Sequence, residues 1–138
     1  LHPFQLQRIR KRKTKPTSAT TEASHFALVA QVLRELGGDP TAQTPCADLV
    51  GVEAAGLVQA MNDPRTSCLQ SLHVMLDAEL IDNAGWELLI QLARAAGHEN
   101  IAERFQHAMQ QEAHHLATLR DLVARLTLED AGAESRMM

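Results

Sequence analysis

Three stretches of this chain space their apolar residues for an α-helix, and each interrupts the inward row with a glutamate. In 22–36 the row runs Glu22, His25, Val29, Val32, Leu36. In 69–93 it runs Leu69, Leu72, Leu76, Glu79, Asn83, Trp86, Ile90, Ala93, and in 101–126 Ile101, Phe105, Ala108, Glu112, His115, Leu119, Leu122, Leu126. Steps of three and four residues put each row on one helix face. A carboxylate on such a face is costly unless something compensates it. Packing alone does not explain acid on three separate seams.

Two of these interruptions are Glu-x-x-His pairs, Glu22 with His25 and Glu112 with His115. Residues three apart on a helix address the same small volume. Ten Glu and seven His in a chain of 138 give roughly half such a pair by chance, so position rather than spacing gives the motif weight. Imidazole beside carboxylate, with a third Glu on another helix, is a donor set for a borderline or hard divalent cation.

The rest of the composition narrows the fold. Tyr is absent, aromatics are 3% and hydrophobic residues 45%, enough for one core dominated by Ala and Leu. That predicts an all-α domain. No stretch reaches the length of a membrane span and no secretory signal is legible, so a cytoplasmic protein with no membrane partner is expected. Cys46 and Cys68 are too few and too far apart for a zinc ligand set and read as two reduced thiols.

Charge divides the chain. Residues 1–21 hold Arg8, Arg10, Lys11, Arg12, Lys13 and Lys15 and no acid, whereas the remainder carries all 17 Asp and Glu. The expected organisation is a basic, disordered arm over 1–21, a helical domain over 22–127 and a flexible tail over 128–138. The arm has neither interleaved aromatics nor an amphipathic period, so no specific nucleic-acid partner is expected.

Punctuation sets the connectivity. Gly37-Gly38-Asp39-Pro40 stops the first helix, and about thirty residues follow before the next long one. That connection is long enough to cross a bundle, with a short helical piece inside 48–62. Asp63 or Thr66 is expected to cap the helix over 67–96. Gly97-His98 then allows only a tight turn into 99–127, so those two helices are antiparallel neighbours.

Three stretches resemble the ferritin-like helical proteins of bacteria: E-A-S-H-F-A-L-V; L-G-G-D-P-T-A-Q-T-P-C-A-D with N-D-P-R-T; and A-E-L-I-D-N-A-G-W-E-L-L followed by Q-Q-E-A-H-H-L. The likeness covers about 22–126 and extends to the wider group that includes rubrerythrins and manganese catalases. It implies an antiparallel bundle with a long crossover between the second and third family helices, around a two-metal centre of Fe or Mn. In that pattern two helices each give a Glu and two each give a Glu-x-x-His. Carried over, Glu22 and His25 are the first Glu-x-x-His, Glu79 the lone carboxylate of the third helix, and Glu112 with His115 the second Glu-x-x-His. The first family helix, with its own Glu, belongs before Glu22, where this chain has the basic arm. It is therefore missing or replaced.

The resemblance implies metal ions as partners, with O₂ or peroxide, in a dimetal oxidoreductase such as a ferroxidase, peroxidase or catalase-like enzyme. The rival is a non-catalytic helical interaction protein whose Glu and His are relics. A seam of Val29, Val32, Leu72, Leu76, Leu119 and Leu122 left open by a missing helix predicts a homo-oligomer, most simply a dimer. Other residues have plainer expectations. Trp86 belongs to the core, Glu87 to the surface and His114 to solvent or an intersubunit surface. His73 is half-buried and hydrogen-bonded, and Asn83 donates to Glu79.

Overall fold

Each helix begins or ends on a signal written locally. The computed structural model describes residues 18–132, which form four α-helices and no strand. They are α1 (Ser18–Glu35), α2 (Pro45–Asn62), α3 (Cys68–Ala95) and α4 (Glu99–Asp130). Gly37 after α1 and Gly97 after α3 take positive φ, 81° and 79°, as a left-handed cap requires. Behind them the Gly38 and His98 amides donate to the Leu33 and Ala93 carbonyls, so both helices close in the same six-residue loop.

Three boundaries depart from expectation. The crossover helix is longer than 48–62, because Thr44 accepts from the Ala47 amide and Pro45 occupies the first turn, where its missing N–H costs nothing. The cap of α3 is Ser67, not Asp63 or Thr66. Ser67 and Gln70 exchange side-chain and backbone bonds in a reciprocal capping box. Asp63 instead accepts from the Arg65 amide and pairs with its guanidinium, tightening the preceding turn. Third, α1 starts at Ser18, inside the segment expected to be an arm, and Thr21, one turn before His25, is buried.

The expected disorder of 1–17 and flexibility of 133–138 lie outside the described residues. Within them, 18–20 and 128–130 are helical. No helix among the described residues is long and apolar enough to cross a membrane.

Helices α3 and α4 form the expected hairpin and share the most extensive interface. Its core joins Trp86, Ile90 and Ala93 to Ile101, Ala102, Phe105 and Ala108. All but Ala102 belong to the inward rows read from the sequence. Helix α1 lies against α4, where Glu35 pairs with Arg104, His25 with Glu112 and Glu22 approaches His115. The numbers rise on α1 as they fall on α4, so the two are antiparallel, and α1 runs in the same direction as α3. A crossover is then obligatory, and α2, about 27 Å long at 1.5 Å per residue, spans it. Helix α2 packs on α3 and has no buried residue of its own.

The seam is only partly open. Val32 is 3% exposed, because α1 seats it against Trp86, Ile90 and Phe105. Val29, Leu72, Leu76, Leu119 and Leu122 are half-buried. The strongly exposed apolar side chains are others, among them Phe26 at 78%, Val52 at 70%, Leu49 at 63% and Leu92 at 57%. Phe26 and Leu92 line a trough between α1 and α3, where cavities of about 330 and 640 Å³ share Val29 and Leu89 as walls.

Candidate metal centre

Near the middle of the α3–α4 hairpin the three interrupted rows meet. Glu22 from α1, Glu79 from α3 and Glu112 with His115 from α4 each present one possible ligand atom, all within 4.8 Å of one another. Helical periodicity aims each of them inward, and the α1–α4 pairing sets their common height. Glu112 is the largest fully buried side chain among the described residues, 1% exposed. Glu79 and His115 are half-buried, and Glu22 at the rim keeps 43% of its side chain exposed.

These groups lack the partners that burial demands. Glu22 Oε1, Glu79 Oε2, Glu112 Oε2 and His115 Nδ1 are shielded from solvent, and none makes a hydrogen bond. The His115 Nδ1 atom stands 3.7 Å from Glu112 Oε2 and 3.9 Å from Glu22 Oε1, too far for a hydrogen bond. A buried polar atom left unpaired costs about 1–3 kcal/mol, more when it is charged. Four such atoms, three of them carboxylate oxygens, face one another here. The donor set suits a divalent cation.

The fifth expected ligand, His25, is placed differently. It is 5% exposed but stands outside the group of four. Its Nδ1 lies 2.6 Å from Glu112 Oε1 and its Nε2 2.8 Å from Gln111 Oε1. The Trp86 and His25 rings stand nearly perpendicular, at 76°, with centroids 5.4 Å apart. His25 therefore occupies the second oxygen of the carboxylate whose first oxygen belongs to the cluster.

The remaining expectations divide. Trp86 is in the core, while Glu87 and His114 are exposed. His73 is exposed rather than half-buried, because α2 packs beside it without covering it. Asn83 is half-buried one turn beyond Glu79 and makes no hydrogen bond to it, so it is not the expected donor.

Three contributors escaped the sequence reading. Asp82 and Glu53 line the larger cavity together with Glu22 and His25. Asp82 follows Glu79 by three residues, and that spacing was a usable signal. Glu53 comes from α2, and Gln111 reaches His25 only because α1 docks on α4. No local pattern marks either.

Electrostatics agree with the crowding. Burial, then the crowding and negative charge of Glu112, push the Glu79 carboxyl from an ordinary 4.5 up to about 7, against the pull of His115 and His25. Desolvation and the Glu79 charge also raise Asp82. Between 4.5 and about 7 the folded, metal-free chain holds more protons at Glu79 than the unfolded chain does. Its stability therefore falls as pH rises through that window. Glu79→Gln, neutral at every pH, should lose this fall. Thermal melts across the window should show the variant gaining on the parent as pH increases. A constant gap would mean that Glu79 titrates normally.

No protein-family model, curated protein or solved structure matches the chain.

Proposed function

We propose that this chain is a ferritin-like dimetal carboxylate protein that uses Glu22, His25, Glu79, Glu112 and His115 to hold iron or manganese, for metal binding or oxidation or for handling peroxide. The observation that carries this reading is the set of four partnerless, shielded atoms within 4.8 Å. Carboxylate oxygen with imidazole nitrogen suits Fe and Mn, and each orphaned atom gains the interaction it lacks. The parallel course of α1 and α3, the helical crossover and the α3–α4 hairpin agree with the arrangement that the resemblance implies.

Charge limits the loading. Three carboxylates carry −3; one divalent ion leaves −1, whereas two leave +1 in a poorly solvated site. A first ion would therefore be held tightly and a second weakly. Bound iron or manganese supplies one-electron chemistry toward O₂ or peroxide. The chain's own residues do the rest. Glu79 and Glu112 would hold the cation, and Trp86 packs against one side of His25. Asp82 and Glu53 give the larger cavity an acidic lip that attracts cations. The unpaired cysteines fit a reducing, cytoplasmic setting.

Elemental analysis of protein made in iron- or manganese-replete medium tests this. Near one equivalent of metal per chain is expected, lost in Glu112→Ala/His115→Ala. Metal-free protein under those conditions would favour the rival reading, a helical interaction protein. The exposed apolar trough is what speaks for that rival.

The same trough argues for self-association. An apolar side chain as open as Phe26 forfeits about 1.5–3 kcal/mol of burial, and the basic segment 8–15 offers no apolar face to cover it. A second copy does. Sedimentation at micromolar concentration should show a dimer, and Phe26→Lys should shift it toward monomer with helix content unchanged. A parent chain that sediments as a monomer would remove the argument.

A further inference from the structure

We infer that Gln111 is a positioning residue that holds the His25 ring with Nδ1 turned toward the metal ligands, an inference that rests on the metal reading above. Gln111 immediately precedes Glu112 on α4 but points about 100° away from it around the helix. It therefore reaches the far side of the imidazole that Glu112 meets on the near side. Its Oε1 lies 2.8 Å from His25 Nε2, while Glu112 Oε1 lies 2.6 Å from Nδ1. Two consecutive residues of one helix thus grip both nitrogens of a buried ring on another.

The grip has a direction. An amide oxygen only accepts, so the nitrogen it faces must carry a proton. Nε2–H donating to Gln111 leaves Nδ1 as the nitrogen that shares a proton with Glu112. With Nε2 protonated, the Nδ1 lone pair would be the one available to a cation held by Glu112, with release of the shared proton, as metal binding to such groups requires. Without the amide oxygen, nothing on the Nε2 side selects the tautomer, and the ring can present either nitrogen. Trp86 packs nearly perpendicular to the ring and limits its tilt, but it does not distinguish the two nitrogens. Partners behind a ligating histidine commonly fix its tautomer and orientation in this way.

Gln111 is exposed at the helix surface, so its substitution leaves the core intact. Gln111→Met removes the acceptor at similar length, and Gln111→Glu keeps it. Long-range proton–nitrogen NMR of the metal-free parent should show His25 Nε2 bearing a proton. The same signal should persist in Gln111→Glu and give way to mixed tautomers in Gln111→Met. Titration with Mn(II) should then find Gln111→Met weakened by about 10–100-fold and Gln111→Glu close to the parent. A bare Nε2 in the parent overturns the inference, because the amide would then be donating. Equal Mn(II) affinity in all three chains overturns it as well. A parent that binds no Mn(II) defeats the metal reading instead, and the tautomer spectrum still decides whether Gln111 holds the ring.

Discussion

Adding Mn(II) to the metal-free chain should raise its melting temperature, and Glu112→Ala/His115→Ala should abolish the rise. A ligand that binds only the folded state stabilises it by about 2.7 kcal/mol at a hundredfold excess over its dissociation constant. For a domain of this size that corresponds to roughly 10 °C. The rise should be large because the folded state already holds the ligands together. Glu22, Glu79, Glu112 and His115 converge in the described fold, whereas an unfolded chain scatters them over 94 positions of sequence. The double variant removes two of the four and should leave the melt insensitive to the metal. A parent melt that does not move on adding Mn(II) or Fe(II) would end the metal-centre proposal. An equal rise in parent and double variant would place the ion elsewhere.

The second large effect is expected from Phe105→Ala. Phe105 is 4% exposed and stands in the core where Val32 of α1 meets Trp86 and Ile90 of α3. Its ring lies 5.7 Å from that of Trp86, at a tilt. Truncating such a side chain costs about 3–5 kcal/mol, the transfer of the lost ring plus the cavity left behind. Small domains have about 5–15 kcal/mol in all, so the variant sits near the edge of folding. The urea midpoint should fall with the slope unchanged. Val52→Ala is the control. Val52 is 70% exposed on α2 and should move stability by less than about 0.5 kcal/mol. Similar losses in the two variants would mean that the core is not where α1, α3 and α4 meet.

Loss of self-association without loss of metal binding would divide the two functional readings between two surfaces. On the proposed reading, metal binding would fall to the buried rows and association to the exposed Phe26.

What the sequence determined by itself is periodic or local. The apolar rows of α3 and α4, the Gly97 turn and the three inward glutamates were legible because a helix converts spacing into direction, residue by residue. The Thr44–Pro45 start of α2 and the Ser67–Gln70 box were equally local and were open to the same reading, though boundaries were drawn elsewhere. Tertiary structure decided what depends on how one helix docks on another. The height at which α1 meets α4 seats Val32 in the core rather than on an open seam. The same docking brings Glu22 to His115 and sets His25 between Glu112 and Gln111 instead of among the four converging groups. A shift of α1 along its axis would preserve every pattern in the sequence and dissolve the site, because periodicity fixes which face a side chain occupies and says nothing about which residue stands opposite.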